Sequence, residues 1–166
     1  SGQLCRLGAR IAIEEINAAG GIKALGGAKL EPIYADAPNP QTGTAEVEKA
    51  NEAGVAAIVG AYASAICLAT TQAAAKHSLP HLVDVGVADQ IVERGLTNVF
   101  RFGPGYRKIT ADAVKYLHTL NTLAGNKAKS VVIVHEESLF GTGTANLLSQ
   151  ELPKLGFEVK EVIKHA

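Results

Sequence analysis

The chain has 166 residues, with 16 Lys+Arg balanced by 16 Asp+Glu, so its formal charge is zero. That balance leaves no electrostatic footprint for nucleic acid or anionic lipid, and neither is expected as a partner. With 47% hydrophobic and 19% charged residues the composition is that of a folded globular chain, and no apolar stretch approaches the ~20 residues a membrane span needs.

Glycines and prolines punctuate the sequence at short intervals, and between them the hydrophobic period switches between helical and extended. A first helix is predicted over residues 3–19, with Leu4, Leu7, Ile11 and Ile16 on one face, Arg10 and Glu14 paired on another, and Gly20-Gly21 as its stop. A strand at 30–35 and a helix at 41–52 follow. Residues 55–59, apolar on both faces and bounded by glycines, predict a fully buried central parallel strand.

Next come a helix at 64–77, a strand at 81–85, a short helix at 89–94 and a strand at 98–102. After Gly103-Pro104-Gly105 a long helix carries Ile109, Ala113, Leu117 and Leu120 on one stripe, and leads to a strand at 131–134. A loop at 135–140 precedes a helix at 142–155, with Leu148, Leu152 and Leu155 inward, Pro153 loosening its final turn and Gly156 as its stop. A strand at 157–163 closes the series. This order predicts a doubly wound α/β fold with a parallel sheet, because parallel strands need crossover helices. The strand that usually precedes the first helix of such a sheet is missing. The Gly103-Pro104-Gly105 cluster is the one candidate domain boundary, against the alternative of a surface loop.

Few residues suggest catalysis. Gly141-Thr142-Gly143-Thr144-Ala145-Asn146 begins like a dinucleotide fingerprint but has asparagine where the third glycine belongs. No GxxxxGK[ST] phosphate loop occurs, and Tyr62-Ala63-Ser64-Ala65-Ile66 lacks both glycines of a GxSxG nucleophile elbow. His77 and His81 are separated by Pro80 and a helix-to-strand change, so they do not form a metal pair on one helix face. Glu136-Glu137 read as solvated neighbours, and Cys5 and Cys67 as small buried hydrophobes, since CxxC spacing is absent. No catalytic residue, metal or cofactor is expected.

Ser64 has the better physical case. It opens a helix at the carboxyl end of a predicted strand, where unpaired N–H groups and the helix dipole favour an anion and the hydroxyl adds a donor. A plain N-cap serine is an equally good reading. The neighbouring strand ends in Asp84-Val85-Gly86-Val87, where Gly86 either admits a ligand to the backbone or makes a turn. If both loops line one crevice, they converge on a small carboxylate with no base or nucleophile beside it.

Gly8-Ala9, Ile16-Asn17-Ala18-Ala19-Gly20-Gly21-Ile22, Tyr34-Ala35-Asp36, Ile58-Val59-Gly60, Phe100-Arg101, Val131-Val132-Ile133-Val134-His135 and Phe140-Gly141-Thr142-Gly143 stand in order along the whole chain. In that order they resemble the solute-binding proteins of ABC importers for branched-chain amino acids and related compounds, which have a type I periplasmic-binding-protein fold.

The resemblance implies two incomplete lobes: 1–103 as the first, lacking its opening strand, and 104–166 as the start of the second. It implies a ligand-binding set of Ser64, Tyr62, Ala63, Val85, Gly86, Val87 and Phe140, with the carboxylate on Ser64 and the 85–87 main chain and the aromatic pair Tyr62 and Phe140 flanking the solute. Family members commonly have threonine at the position of Val87, where the hydroxyl holds an α-ammonium. Valine cannot do so, and the expected ligand is therefore a carboxylate, with aromatic acids leading and branched-chain amino acids behind. The remaining implications are an ABC permease as partner, a monomer, a periplasmic location, an export signal in the precursor and no disulfide between Cys5 and Cys67. A ligand-sensing regulator of the same fold is the alternative.

Overall fold

The computed structural model describes residues 2–166. Its first element, α1 (Gly2–Ala18), carries the Arg10–Glu14 pair at 3.5 Å. Gly20 and Gly21 end it with φ of +102° and +80°, and a Cβ on Gly21 would lie 2.4 Å from the Gly27 carbonyl oxygen. Glycine is therefore required there by both conformation and space. Asn17 reaches across this turn: its Nδ2 donates to the Leu30 carbonyl and its Oδ1 accepts from the Leu30 N–H, both at 2.8 Å.

The strand predicted at 30–35 is not formed. Among the described residues the segment joins no sheet, and apart from the Asn17 clamp on Leu30 no ladder partner lies beside it; a strand exists only where a neighbour satisfies its amides. Helix α2 (Pro40–Glu52) then starts with proline in its first turn and Asn39 as its cap, the Asn39 side chain accepting from Thr42 N–H at 2.8 Å.

Strands β1 (Ile58–Val59), β2 (His81–Val83) and β3 (Val99–Arg101) form a parallel sheet in that order, with α3 (Ser64–Lys76) and α4 (Gln90–Glu93) in the crossovers. Ile58 aligns with His81 and His81 with Val99. Because side chains alternate across a strand, His81 and Val83 lie buried on the helix-covered face while Val59, Leu82 and Phe100 share the other. That second face is open, with Val59 63% exposed. The expectation of a fully buried strand at 55–59 is thus corrected: only Ile58–Val59 is strand, it stands at the sheet edge, and no described element covers its outer face.

The second sheet pairs β4 (Ser130–Glu136) with β5 (Glu158–His165) in parallel, with α5 (Tyr106–Leu123) before it and α6 (Leu139–Glu151) as the crossover. Val114, Ile133, Ala145, Leu152 and Phe157 make its core.

Three sequence expectations change here. The buried side of α5 is Tyr106, Thr110 and Val114. The stripe of Ile109, Leu117 and Leu120 is at least 40% exposed, because α6 offers small residues to the adjacent stripe, about 100° around the helix. Leu155 is 37% exposed, since the α-helix stops at Glu151 and Pro153–Leu155 form a 3-10 turn before Gly156 (φ +84°). The loop after β4 is only residues 137–138, so Gly141 and Gly143 lie in the first turns of α6.

The two sheets are joined through α5. Its first residue, Tyr106, belongs to the core made by Cys67, Val83, Ala88 and Ile91, against which Leu139 and Leu147 of α6 also pack.

Candidate functional site

Parallel neighbouring strands deliver their following loops to the same sheet edge. For β1 and β2 these are residues 60–63 and 84–88. The first loop runs directly into α3, whose cap position is Ala63, with no side chain capping the helix. The amides of Ser64 and Ala65 accordingly have no intrahelical acceptor.

Ser64 is the first helical residue rather than its cap, and it is 4% exposed. Its Oγ accepts the N–H groups of Val87 and Ala88, each at 3.2 Å. The hydroxyl therefore joins the start of α3 to the second loop, and its own hydrogen remains to be donated. In that loop Val85 N–H donates to Asp84 Oδ1 at 2.9 Å, and the Val87 carbonyl accepts from Tyr106 N–H at 2.7 Å. The loop is held on one side by α3 and on the other by the first turn of α5.

Gly86 is buried, and its position is dictated by packing. A Cβ there would lie 2.4 Å from Cys67 Sγ and 3.2 Å from Ile91 Cδ1. Cys67 itself is fully buried; its thiol donates to the Ala61 carbonyl at 2.8 Å and accepts the Ala61 N–H at 3.3 Å. Burial pushes this thiol up to about 11, against the opposing pull of the Ala61 and Gly86 backbones. A thiol buried and held protonated in this way is a poor nucleophile.

Of the remaining predicted residues, Tyr62 is 52% exposed beside half-buried Ala63, and Phe140 is 43% exposed. Phe140 sits in the first turn of α6, a helix capped by Ser138, whose Oγ accepts Gly141 N–H at 3.0 Å. Both aromatic rings lie outside the three hydrophobic cores.

The residues with other candidate chemistry have structural employment. A Cβ on Gly141 would meet the Glu136 carbonyl oxygen at 2.3 Å, and one on Gly143 would meet the Tyr106 ring at 2.9 Å. His77 Nε2 bonds Glu48 at 2.6 Å, whereas His81 is buried with Nε2 3.0 Å from the Gly60 carbonyl, and burial lowers its pKa. Glu137 pairs with Lys164 and Glu136 accepts from Ser138. Among the described residues no three His, Cys, Asp or Glu side chains cluster as a metal site, and no helix is long and apolar enough to cross a membrane.

Sequence reasoning missed the charges behind the second loop. Asp89, 7% exposed, lies 3.6 Å from Arg101 and accepts the Arg107 N–H at 3.1 Å. Arg101 donates to the carbonyls of Ala88 (2.8 Å) and Gly103 (3.1 Å). The available signal was an arginine closing a short apolar strand, where a charge that becomes buried needs a partner. A cleft of about 420 Å³ opens elsewhere, between Gln90, Tyr106, Arg107, Thr142 and Asn146. Its rim is already paired, Tyr106 to Gln90 and Arg107 to Glu93, whereas the loop edge at Ser64 keeps free donors.

The chain is similar in sequence and fold to known proteins. The sequence pattern of the family described as "Periplasmic binding protein" matches residues 1–166. The chain is 33% identical over 144 residues to Leu/Ile/Val-binding protein homolog 8 of Brucella abortus, covering 83% of this chain and 34% of that protein. Homolog 7 of Brucella melitensis is 32% identical over 142 residues, covering 83% and 35%. The chain thus spans about a third of the length of these curated relatives.

Among solved structures, an ABC transporter substrate-binding protein from Desulfitobacterium hafniense in complex with Leu superposes with a TM-score of 0.77 at 23% identity, covering 95% of this chain and 45% of that one. A solute-binding protein from R. palustris in complex with benzoate gives 0.77 at 21% identity, covering 91% and 41%. The strand order, the crossover helices and these matches agree on a type I periplasmic-binding-protein fold, and the chain belongs to the periplasmic binding protein family.

Proposed function

We propose that the chain forms part of an extracytoplasmic receptor of an ABC importer, binding a small carboxylate where the loops 60–64 and 85–88 meet. The observation that carries this reading is the position of Ser64. Its buried hydroxyl bonds two amides of the opposite loop while keeping a hydrogen to donate, and the uncapped α3 amides lie beside it. Ala63, Val85, Gly86 and Val87 supply the surrounding main chain, and Tyr62 and Phe140 are half-exposed rings suited to a flat solute.

Residues 1–103 and 104–166 belong to two lobes that close on the solute, and a membrane permease reads the closed form. The receptor acts as a monomer in the periplasm and does no chemistry on its cargo. Val87 lacks the hydroxyl that would receive an α-ammonium, which favours aromatic acids over amino acids. Solved proteins of the same fold hold leucine, benzoate and 3,4-dihydroxybenzoic acid, whose shared group is the carboxylate.

Mass spectrometry of solute released from the full-length protein tests the ligand class: an aromatic acid supports it and a co-purifying aliphatic amino acid refutes the preference. Calorimetry with benzoate on Ser64→Ala tests the site. A loss of ~1–3 kcal/mol is expected for a charged acceptor short of one donor, and unchanged affinity removes Ser64 from the site.

A further inference from the structure

Ser64 and Cys67 stand three residues apart on α3 and so share one helix face. Ser64 bonds the second loop; Cys67 touches both. Its thiol closes a two-way hydrogen bond with Ala61 in the first loop, at 2.8 Å and 3.3 Å. Its sulfur occupies the space a Gly86 side chain would need, so the second loop lies flush against it. Cys67 shares one buried cluster with Val83, Ala88, Ile91 and Tyr106. The separation of the two loops is thus set by the size and hydrogen bonding of one buried side chain.

We propose that Cys67 is a positioning residue for carboxylate recognition, holding loops 60–63 and 84–88 at a fixed separation through Ala61 and Gly86. This rests on the site assignment above. A thiol suits the role because sulfur fills the space over Gly86 and still donates a weak hydrogen bond. Serine keeps the hydrogen bond with a shorter reach, alanine loses it, and a side chain on Gly86 collides with the sulfur.

The test is a mutant cycle on the full-length protein, with benzoate and L-leucine as calorimetric probes. Gly86→Ala is expected to weaken binding about tenfold or more, as displaced donors do. Adding Cys67→Ala to Gly86→Ala makes room for the new methyl and is expected to restore part of that loss, although Cys67→Ala alone weakens binding. Cys67→Ser is expected to bind more tightly than Cys67→Ala. A double variant no better than Gly86→Ala overturns the proposal, and so does a Cys67→Ala variant that loses thermal stability while binding both probes as the wild type does.

A second arm needs no ligand. Cys67→Ala should accelerate hydrogen exchange at the Ala61, Val87 and Ala88 amides by about tenfold or more relative to Ile133 in β4, as local opening would. Unchanged relative rates also overturn the proposal. If Ser64→Ala leaves affinity intact, or the wild type binds neither probe, the site assignment fails instead, and the exchange arm still decides whether Cys67 fixes the loops.

Discussion

Asp89 and Arg101 face each other at 3.6 Å with both side chains only 10% exposed, directly behind the loop that Ser64 holds. Removing one member of a buried pair strands the other charge, which costs about 3–5 kcal/mol. Asp89→Ala is therefore expected to lower unfolding free energy by roughly that amount, and it also removes the acceptor for the Arg107 amide. Urea denaturation checks this. A loss under about 1 kcal/mol would mean the pair behaves like a surface bridge.

The glycines at 141 and 143 yield a second prediction. Their contacts with the Glu136 backbone and the Tyr106 ring make them packing glycines, so Gly141→Ala and Gly143→Ala should each destabilise by about 1–3 kcal/mol. Thermal melts measure the loss. Heat of binding on titration with NAD would instead restore the dinucleotide reading.

His81 should give the protein a pH-sensitive component of stability. Its folded pKa is lowered from 6.5 chiefly by burial, so the unfolded chain takes up the proton first as pH falls. The contribution is fully present above about 6.5 and declines below it. His81→Gln should flatten the fall in Tm between about pH 7.5 and 5.5. An identical slope in both proteins would assign the effect to other groups.

The two cysteines should differ in reactivity. Cys67 is fully buried and raised to about 11, whereas Cys5 is half-buried. Iodoacetamide on the folded full-length protein is expected to label Cys5 well before Cys67, because only accessible thiolate reacts. Peptide mapping that finds equal labelling would show that the loops around Cys67 open freely.

Local signals carried most of the fold. Gly20-Gly21 stops α1 through its own backbone preference, within a residue of the predicted end, whereas Gly156 closes a 3-10 turn and the α-helix before it already stops at Glu151. Burial was less legible. The apolar runs at 55–59 and along Ile109, Leu117 and Leu120 are hydrophobic enough for a core, but which face is covered depends on neighbours that periodicity cannot supply. Ser64 could be singled out as a candidate because a serine opening a helix after a strand has a local meaning. Cys67 and Asp89 were not, since their roles come from contacts with Gly86, Ala61 and Arg101 that only the tertiary structure brings together.

The central claim is that a solute carboxylate sits where the Ser64 hydroxyl joins the two loops. Amide chemical-shift mapping of the full-length protein during titration with benzoate, and separately with L-leucine, tests it most directly. The account predicts the largest shifts at residues 61–65 and 85–88. Shifts centred on Gln90, Arg107, Thr142 and Asn146, or none at the two loops with either probe, would contradict it.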